Sequence, residues 1–373
     1  MSMPARKVRV GIVGSGLIGR VHTQAVRSLP EAEVIAACDD VPGKAAELVA
    51  AEAPGAAAFD GLTQMLDAGL VDAVCVCTPH PQHAPVVEAC AARGVHAIVE
   101  KPFTATLAEA DRAIAASRRH GTKLSVIFQR RWYPASQRIR AAIDDGRLGR
   151  PILGECIIEF WRGEDYYALA PWRGRWDTEG GGVIINQAPH MLDLLQWYMG
   201  PVEELFCYWD NLNHPYVEVE DLAVAVVRFA GGGLGLIKAS NCTNPWLRYG
   251  VTITGTSGAT ANVSWNNGYE MGHNFVWTLP GEEDMVERWL AEEKASGKRE
   301  MPDFHAMQLR EFLAAVREDR EPAVTGEEGR KTVEIIEAMY RSGRTRAPVR
   351  FPVSPEGGGL EERAHGRRGG VTR

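Results

Sequence analysis

No tryptophan and no tyrosine occurs before Trp132; all ten Trp and all nine Tyr of the 373 residues lie beyond Arg131. The first third is therefore built from small and β-branched apolar residues, and a change of domain is expected near Phe128 to Arg131. Long apolar runs are also missing, which excludes a membrane-spanning helix. The first apolar strand pattern begins within seven residues of Met1, too early for a secretory leader, so a cytoplasmic location and no membrane partner are expected. Excess positive charge is absent: the formal net charge is −7 and the Lys and Arg are scattered among acids, which argues against a nucleic-acid surface. Cysteine is sparse and odd in number, at seven, with Cys75 and Cys77 alternating with Val74 and Val76 on an evident buried strand. That pattern suits reduced packing thiols and not a disulfide framework. No His, Cys or carboxylate group has ligand spacing along the chain, so no metal is expected. With 45% hydrophobic and 24% charged residues, the chain has material for two cored domains.

What is present is most informative at the start. Val8-Arg9-Val10-Gly11-Ile12-Val13 is a β-branched run that breaks into Gly14-Ser15-Gly16-Leu17-Ile18-Gly19. In a G-x-G-x-x-G turn, Gly14 permits the tight bend and Gly16 lets a pyrophosphate approach the main chain. Gly19 lets the following helix, read as Arg20 to Leu29, pack on the sheet with its N-terminus toward the anion. Leu17 and Ile18 then lie beside a bound dinucleotide. A second run, Glu33 to Cys38, ends in Asp39 at the distance where an acid meets the adenine ribose hydroxyls. Asp40 follows, and two carboxylates where a 2′-phosphate would lie select NAD over NADP. The plainer alternatives are a glycine-rich turn in an unrelated α/β protein and, for Asp39-Asp40, an exposed turn made with Pro42-Gly43.

Further strands are expected at Ala73 to Cys77, Ala97 to Glu100 and Lys123 to Phe128. Helical patterns lie between them at Gly43 to Ala53 and Ala105 to His120. This alternation specifies an α/β, doubly wound parallel sheet. Beyond it, alternating runs such as Leu222 to Phe229 and Gly250 to Thr254 predict an antiparallel sheet with one solvated or partner-facing side. The expected organisation is a dinucleotide-binding domain over 1–128, a second domain over 129–351, and a tail over 352–373 too poor in apolar residues to pack.

Two strand ends carry chemistry. Cys77-Thr78-Pro79-His80-Pro81-Gln82-His83 closes one strand and Val99-Glu100-Lys101-Pro102 the next, both at carboxyl ends, where such sheets hold ligands. Thr78, Pro79, His83, Glu100 and Lys101 join the cofactor candidates. Lys101 precedes a proline that keeps it out of the helical region. A surface lysine at a strand end is the alternative reading.

Taken in order, Gly14-x-Gly16-x-x-Gly19, Thr78-Pro79, Glu100-Lys101-Pro102 and Gly180-Gly181-Gly182 followed by His190 resemble the glucose-fructose oxidoreductase / inositol dehydrogenase / MocA family from about Val8 to Arg350. The resemblance implies a Rossmann domain followed by an α/β domain with a large open-faced, mainly antiparallel sheet, through which many members assemble as homo-oligomers. It implies an NAD-dependent oxidoreductase acting on a secondary alcohol of a small sugar or cyclitol, with the lysine of the Glu-Lys-Pro motif and a later aspartate–histidine pair at the reacting hydroxyl. On that pattern Lys101 and His190 are catalytic and also bind substrate.

This chain departs from the commoner pattern in having Asn186 where many members carry aspartate. Asn186 cannot act as a base, although it can donate and accept hydrogen bonds, so it is expected to orient substrate while His190 and Lys101 handle the proton. Aspartate at 186 is then expected to be tolerated. Pro189 begins a helix running through Trp197, with His190 on its first turn, where the dipole disfavours the imidazolium. Asp193, one turn on, is read as a bond to another subunit, a loop or substrate. Trp172 and Arg173 lie in an aromatic- and arginine-rich stretch suited to a sugar ring. Arg131 is read either as a substrate contact or as an interdomain salt bridge.

Members that resemble this chain at Asn186 include enzymes oxidising a glucopyranoside at C3. Without a dense cationic cluster beyond Arg173 and Arg175, a neutral sugar, anhydrosugar or glycoside is favoured as substrate. Inositol or nucleotide-sugar dehydrogenase, NAD-dependent redox glycosidase and non-catalytic NAD-binding regulator are the alternatives.

Overall fold

The computed structural model describes residues 6–265, 272–296 and 301–356. It divides into two compact units. The described residues of Met1–Thr104, Ala108–Gln129 and Glu300–Arg330 form the first, and those of Ala105–Leu107, Arg130–Arg299 and Lys331–Arg373 the second. The second division falls inside the helix Gly326–Thr345.

In the first unit, strands β1 (Val8–Val13), β2 (Ala32–Cys38), β3 (Ala57–Phe59), β4 (Ala73–Val76), β5 (His96–Val99) and β6 (Leu124–Val126) form one parallel sheet. Its strand order is β3-β2-β1-β4-β5-β6. The direction of winding reverses between β1 and β4, which opens a crevice at their carboxyl ends. Helices α1 (Leu17–Arg27), α2 (Lys44–Glu52), α3 (Leu62–Asp67), α4 (His83–Ala91) and α5 (Leu107–His120) connect the strands. Helix α1 begins three residues before the expected Arg20, with Gly16 as its N-cap. Gly19 is therefore inside the helix, where a Cβ would come within 2.1 Å of the Gly14 carbonyl oxygen.

The first unit is not one contiguous stretch. Helix Met301–Glu318 returns to it and places Ala306, Leu309, Phe312 and Leu313 in one core with Val10, Ile12, Ala25, Val26 and Leu29. Gln308 on the same helix accepts from the Phe128 amide at 2.9 Å and donates to the Val126 carbonyl at 2.7 Å, completing the edge strand β6. The domain expected over 1–128 thus omits a segment from near the end of the chain.

In the second unit, strands β7 (Pro151–Glu159), β8 (Val202–Asp210), β9 (Leu222–Phe229), β10 (Leu234–Ser240), β11 (Tyr249–Gly255), β12 (Thr260–Trp265) and β13 (Val349–Arg350) make a seven-stranded sheet. Its order is β12-β11-β7-β10-β9-β8-β13, antiparallel except for the β7–β10 pair. Along β9, Ala223, Ala225, Val227 and Phe229 are buried while Val224 and Val226 are exposed, the period-two alternation read from the sequence. Helices α6 (Pro134–Asp144), α7 (Glu164–Ala168), α8 (Val183–Asn186), α9 (Pro189–Met199) and α10 (Met285–Ala295) complete this unit, and α9 packs on β7 and β11.

All seven cysteines are free thiols, six of them buried, as expected for packing residues. Among the described residues no helix is long and apolar enough to cross a membrane. The tail expected from Pro352 onward differs at its start: Val353 is buried and its amide donates to Glu334 at 2.7 Å. The rest of that expectation, 357–373, lies outside the described residues.

Candidate active site

The first unit gathers the cofactor candidates by its topology. Gly14 follows β1, Asp39 follows β2, Thr78 follows β4 and Lys101 follows β5, so all four stand at the carboxyl edge. Gly14 has φ +94°, and a Cβ there would meet the Cys77 carbonyl at 2.7 Å, so only glycine lets the first loop lie against the end of β4. A Cβ on Gly16, by contrast, would meet nothing within 4 Å, and Leu17 beside it is 85% exposed. That open backbone at a helix N-terminus is the space a pyrophosphate needs. Ile18 is half-buried.

Asp39 accepts one main-chain N–H on each oxygen, from Ser15 at 2.8 Å and from Val41 at 2.9 Å. The two bonds aim its carboxylate and leave lone pairs for ribose hydroxyls. Asp40 is exposed. The buried Thr78 hydroxyl has no hydrogen-bond partner among the described residues, a donor available to a bound ligand. These features fit a dinucleotide.

His83 takes a different place from the one expected. It is fully buried, with Nε2 2.8 Å from the Thr78 carbonyl and Nδ1 2.9 Å from that of Pro102. Both ring nitrogens are thus occupied by main chain, and burial keeps the ring below its ordinary pKa although the carbonyls favour the proton. His83 ties the Thr78-Pro79 loop to the Lys101-Pro102 loop, whose linking peptide is cis.

Glu100 is likewise buried. His22 Nε2 lies 2.8 Å from its Oε1, His305 Nε2 3.5 Å from the same atom, and the Lys101 amide donates to Oε2 at 3.1 Å. Burial works against ionisation, but the two imidazoles outweigh it and hold this carboxyl well below the usual carboxylate range. His22 is held below its ordinary pKa by the same burial, so the pair is best described as neutral imidazole donating to carboxylate. The cluster joins the helix after the glycine loop to the main chain of Lys101, which is half-buried.

Among the described residues this is one of two three-residue groups with metal-compatible spacing; the other is His214, Asp221 and Cys242 in the second unit. There Asp221 already accepts the amides of Leu212, Asn213 and His214 and faces His214 Nδ1 at 2.8 Å. Sequence spacing could not reveal either group, since each is assembled from separate segments.

The substrate candidates other than Lys101 lie in the second unit. Pro189 opens α9 and puts His190, 7% exposed, on its first turn. Asn186 ends α8, whose N-terminus is shaped by the glycine run. A Cβ on Gly181 would fall 1.9 Å from the Tyr340 hydroxyl, and one on Gly182 1.9 Å from the Glu220 carbonyl. The buried Glu220 side chain accepts from the Gly182 and Ile184 amides and the Tyr340 hydroxyl, each at 2.9 Å, and burial nevertheless pushes its carboxyl up to about 7.

Tyr166 is the hub that joins the remaining candidates. Its hydroxyl receives Gln187 Nε2 at 2.9 Å, Asn186 Nδ2 at 3.3 Å and Arg173 Nη1. The Arg173 guanidinium also stacks 4.5 Å from the Trp172 ring centroid, and Arg162 and Arg173 lie 4.7 and 4.3 Å from that of Tyr166. Trp172, Arg173 and Asn186 are thus brought together. The Asn186 amide meets a further residue that sequence reading overlooked, the buried Glu179.

Arg131 is the correction. Its guanidinium, buried to 6% exposure, makes two bonds to Asp193, Nε to Oδ2 at 2.9 Å and Nη2 to Oδ1 at 2.6 Å. A fork bonded at two points to a buried carboxylate anchors α9. The salt bridge expected between domains is instead made within the second unit, with Asp193 as its partner.

The first 8–128 residues match a family model described as an oxidoreductase family with NAD-binding Rossmann fold, and 136–261 match the GFO/IDH/MocA C-terminal domain. The WlbA dehydrogenase from Bordetella pertussis, crystallised with NADH and UDP-GlcNAcA, is 30% identical with a TM-score of 0.86; the match covers 94% of this chain and all of that one. The D-apiose dehydrogenase of Paraburkholderia graminis is 27% identical over 91% of this chain and 88% of its own. The scyllo-inositol 2-dehydrogenase (NAD(+)) of Bacillus subtilis is 26% identical over 93% and 97%.

Proposed function

The chain belongs to the GFO/IDH/MocA family of NAD-dependent oxidoreductases, and from that premise we propose that it oxidises a secondary alcohol of a sugar, anhydrosugar or glycoside. The observation that carries this reading is the Asn186–Tyr166–Gln187–Arg173 array beside the helix that bears His190, a concentration of hydroxyl-binding groups against aromatic rings. Its relatives' names, an apiose and an inositol dehydrogenase among them, support the same class.

In this reading NAD, when bound, supplies the hydride acceptor. The main chain at Gly14 and Gly16, with Leu17, Ile18, Asp39, Thr78 and Pro79, holds it. His190, on the first turn of α9, accepts the hydroxyl proton on a ring nitrogen. The Lys101 ammonium hydrogen-bonds the same oxygen and stabilises its growing negative charge. Asn186 fixes a hydroxyl, and Trp172 and Arg173 line the ring. We further propose assembly as a homo-oligomer through the sheet of the second unit, whose exposed Leu153, Tyr208, Val224, Val226 and Leu234 form an apolar face.

A second reading, an anionic sugar, is favoured by one observation. Arg162 and Arg173 have no carboxylate partner among the described residues, and WlbA was crystallised with an acidic nucleotide sugar. Incubation with NAD and a panel of neutral sugars, cyclitols, glycosides, uronic acids and nucleotide sugars, followed at 340 nm with analysis of the oxidised carbon, tests both. NADH formed with neutral members supports the first reading, and NADH restricted to anionic ones supports the second. Aglycone release without net NADH indicates a redox glycosidase. No turnover with any secondary alcohol overturns the dehydrogenase assignment.

A further inference from the structure

Glu179 stands immediately before the glycine run and is 1% exposed. One of its oxygens, Oε2, receives the Gly174 amide at 2.5 Å; the other, Oε1, receives Nδ2 of Asn186. A primary amide nitrogen carries two hydrogens. The second Asn186 contact of that nitrogen is the Tyr166 hydroxyl at 3.3 Å. Both hydrogens are therefore directed to groups of the same unit.

The reversed amide would place Oδ1 against Oε1 of Glu179, oxygen facing oxygen. Glu179 thus decides which way Asn186 points. We propose that Glu179 is a positioning residue that turns Asn186 into a dedicated acceptor, so that the amide oxygen takes a substrate hydroxyl as a carboxylate would. The inference rests on the substrate-binding role given to Asn186 above.

It also changes the expectation for aspartate at 186. A carboxylate there would face that of Glu179, and two buried carboxylates in contact cannot both ionise. Asn186→Asp is therefore harmful by itself, and becomes tolerable when position 179 carries an amide. In Glu179→Gln/Asn186→Asp the donor and acceptor exchange places: the Gln amide nitrogen donates to the Asp carboxylate.

The test is this exchange, read in activity and in the substrate-free protein. Glu179→Gln, whose amide can meet Asn186 in either orientation, is expected to lower kcat/KM roughly 10- to 100-fold, mainly through KM, with NADH affinity unchanged. Asn186→Asp should lose at least as much and gain a new ionisation in its pH–rate profile. The double variant should exceed each single variant about tenfold. Losses that merely multiply, or full activity in Glu179→Gln, overturn the proposal. Should Glu179→Gln fail to fold, Glu179→Asp, which retracts the carboxylate by one methylene, takes its place and full activity again refutes.

Independently of turnover, the Asn186 side-chain amide protons, assigned by their disappearance in Asn186→Asp, should exchange slowly in wild type and faster without Glu179. Rapid exchange in wild type overturns the positioning role whatever the enzyme does. Slow exchange together with no dehydrogenase activity places the failure in the functional reading instead.

Discussion

Replacing Asp193 with asparagine leaves the Arg131 guanidinium buried without its counter-charge. In the native pair the side chains are 6% and 1% exposed, so solvent neither screens the attraction nor rescues the survivor. Asparagine can accept one of the two N–H bonds with Oδ1, but its Nδ2 then faces the other guanidinium N–H, donor against donor. Breaking a buried pair from one side costs roughly 3–5 kcal/mol. For a unit of 150–250 residues, at roughly 2–4 °C per kcal/mol, this becomes a fall in Tm of roughly 6–20 °C. Calorimetry of the cofactor-free protein measures it, and Arg131→Met/Asp193→Leu should recover the larger part because neither side then leaves a buried charge. A single variant within about 2 °C of wild type would refute the reasoning, as would a double variant less stable than both singles.

Asp39 should make NADH bind at least tenfold more tightly than NADPH, about 1.4 kcal/mol, and Asp39→Ala should narrow the gap; fluorescence titration of apoprotein checks it. Lys101→Ala should lower kcat by roughly 10²-fold with NADH affinity little changed, and equal losses in cofactor binding would make Lys101 a cofactor residue instead. Glu220 should leave a mark on stability. Its folded-state pKa of about 7 lies above its ordinary 4.5, so its protonated form is the one folding favours; its contribution is intact below about pH 4.5, and roughly 3 kcal/mol is lost by the time pH has risen past 7. Glu220→Gln should accordingly flatten the decline of Tm between about pH 5 and 8, and parallel profiles would contradict the assignment.

The first sheet was legible because its signals are local: β-branched runs of four to seven residues, each closed by glycine, proline or a polar strand end. The edge strand β3 escaped because Ala57-Ala58-Phe59 is three residues long and carries no β-branched side chain. The return of helix Met301–Glu318 could not be read, since an apolar helical face does not name the core it enters. At the site, Asn186 and His190 were visible only through the resemblance to the family's glycine-run and histidine pattern. The reasons for that run were not, because Tyr340 and the Glu220 backbone come from far along the chain and only their approach forbids a Cβ. Glu179 stands directly before the glycine run, but its meaning depends on which atom of Asn186 it meets. Arg131 shows the converse: composition placed an arginine at the right point and left two partners open, and the contact with Asp193 resolved them.

The central claim is that this protein removes hydride from a secondary carbinol carbon while His190 and Lys101 manage the hydroxyl. The most direct measurement uses a substrate identified from the panel and deuterated at the oxidised carbon, with mass spectrometry of the NADH produced. The account predicts one deuterium in each NADH formed, a primary isotope effect when chemistry limits turnover, and loss of both NADH and ketone in His190→Asn. Unlabelled NADH, or full labelling and undiminished turnover in the His190 variant, would contradict it.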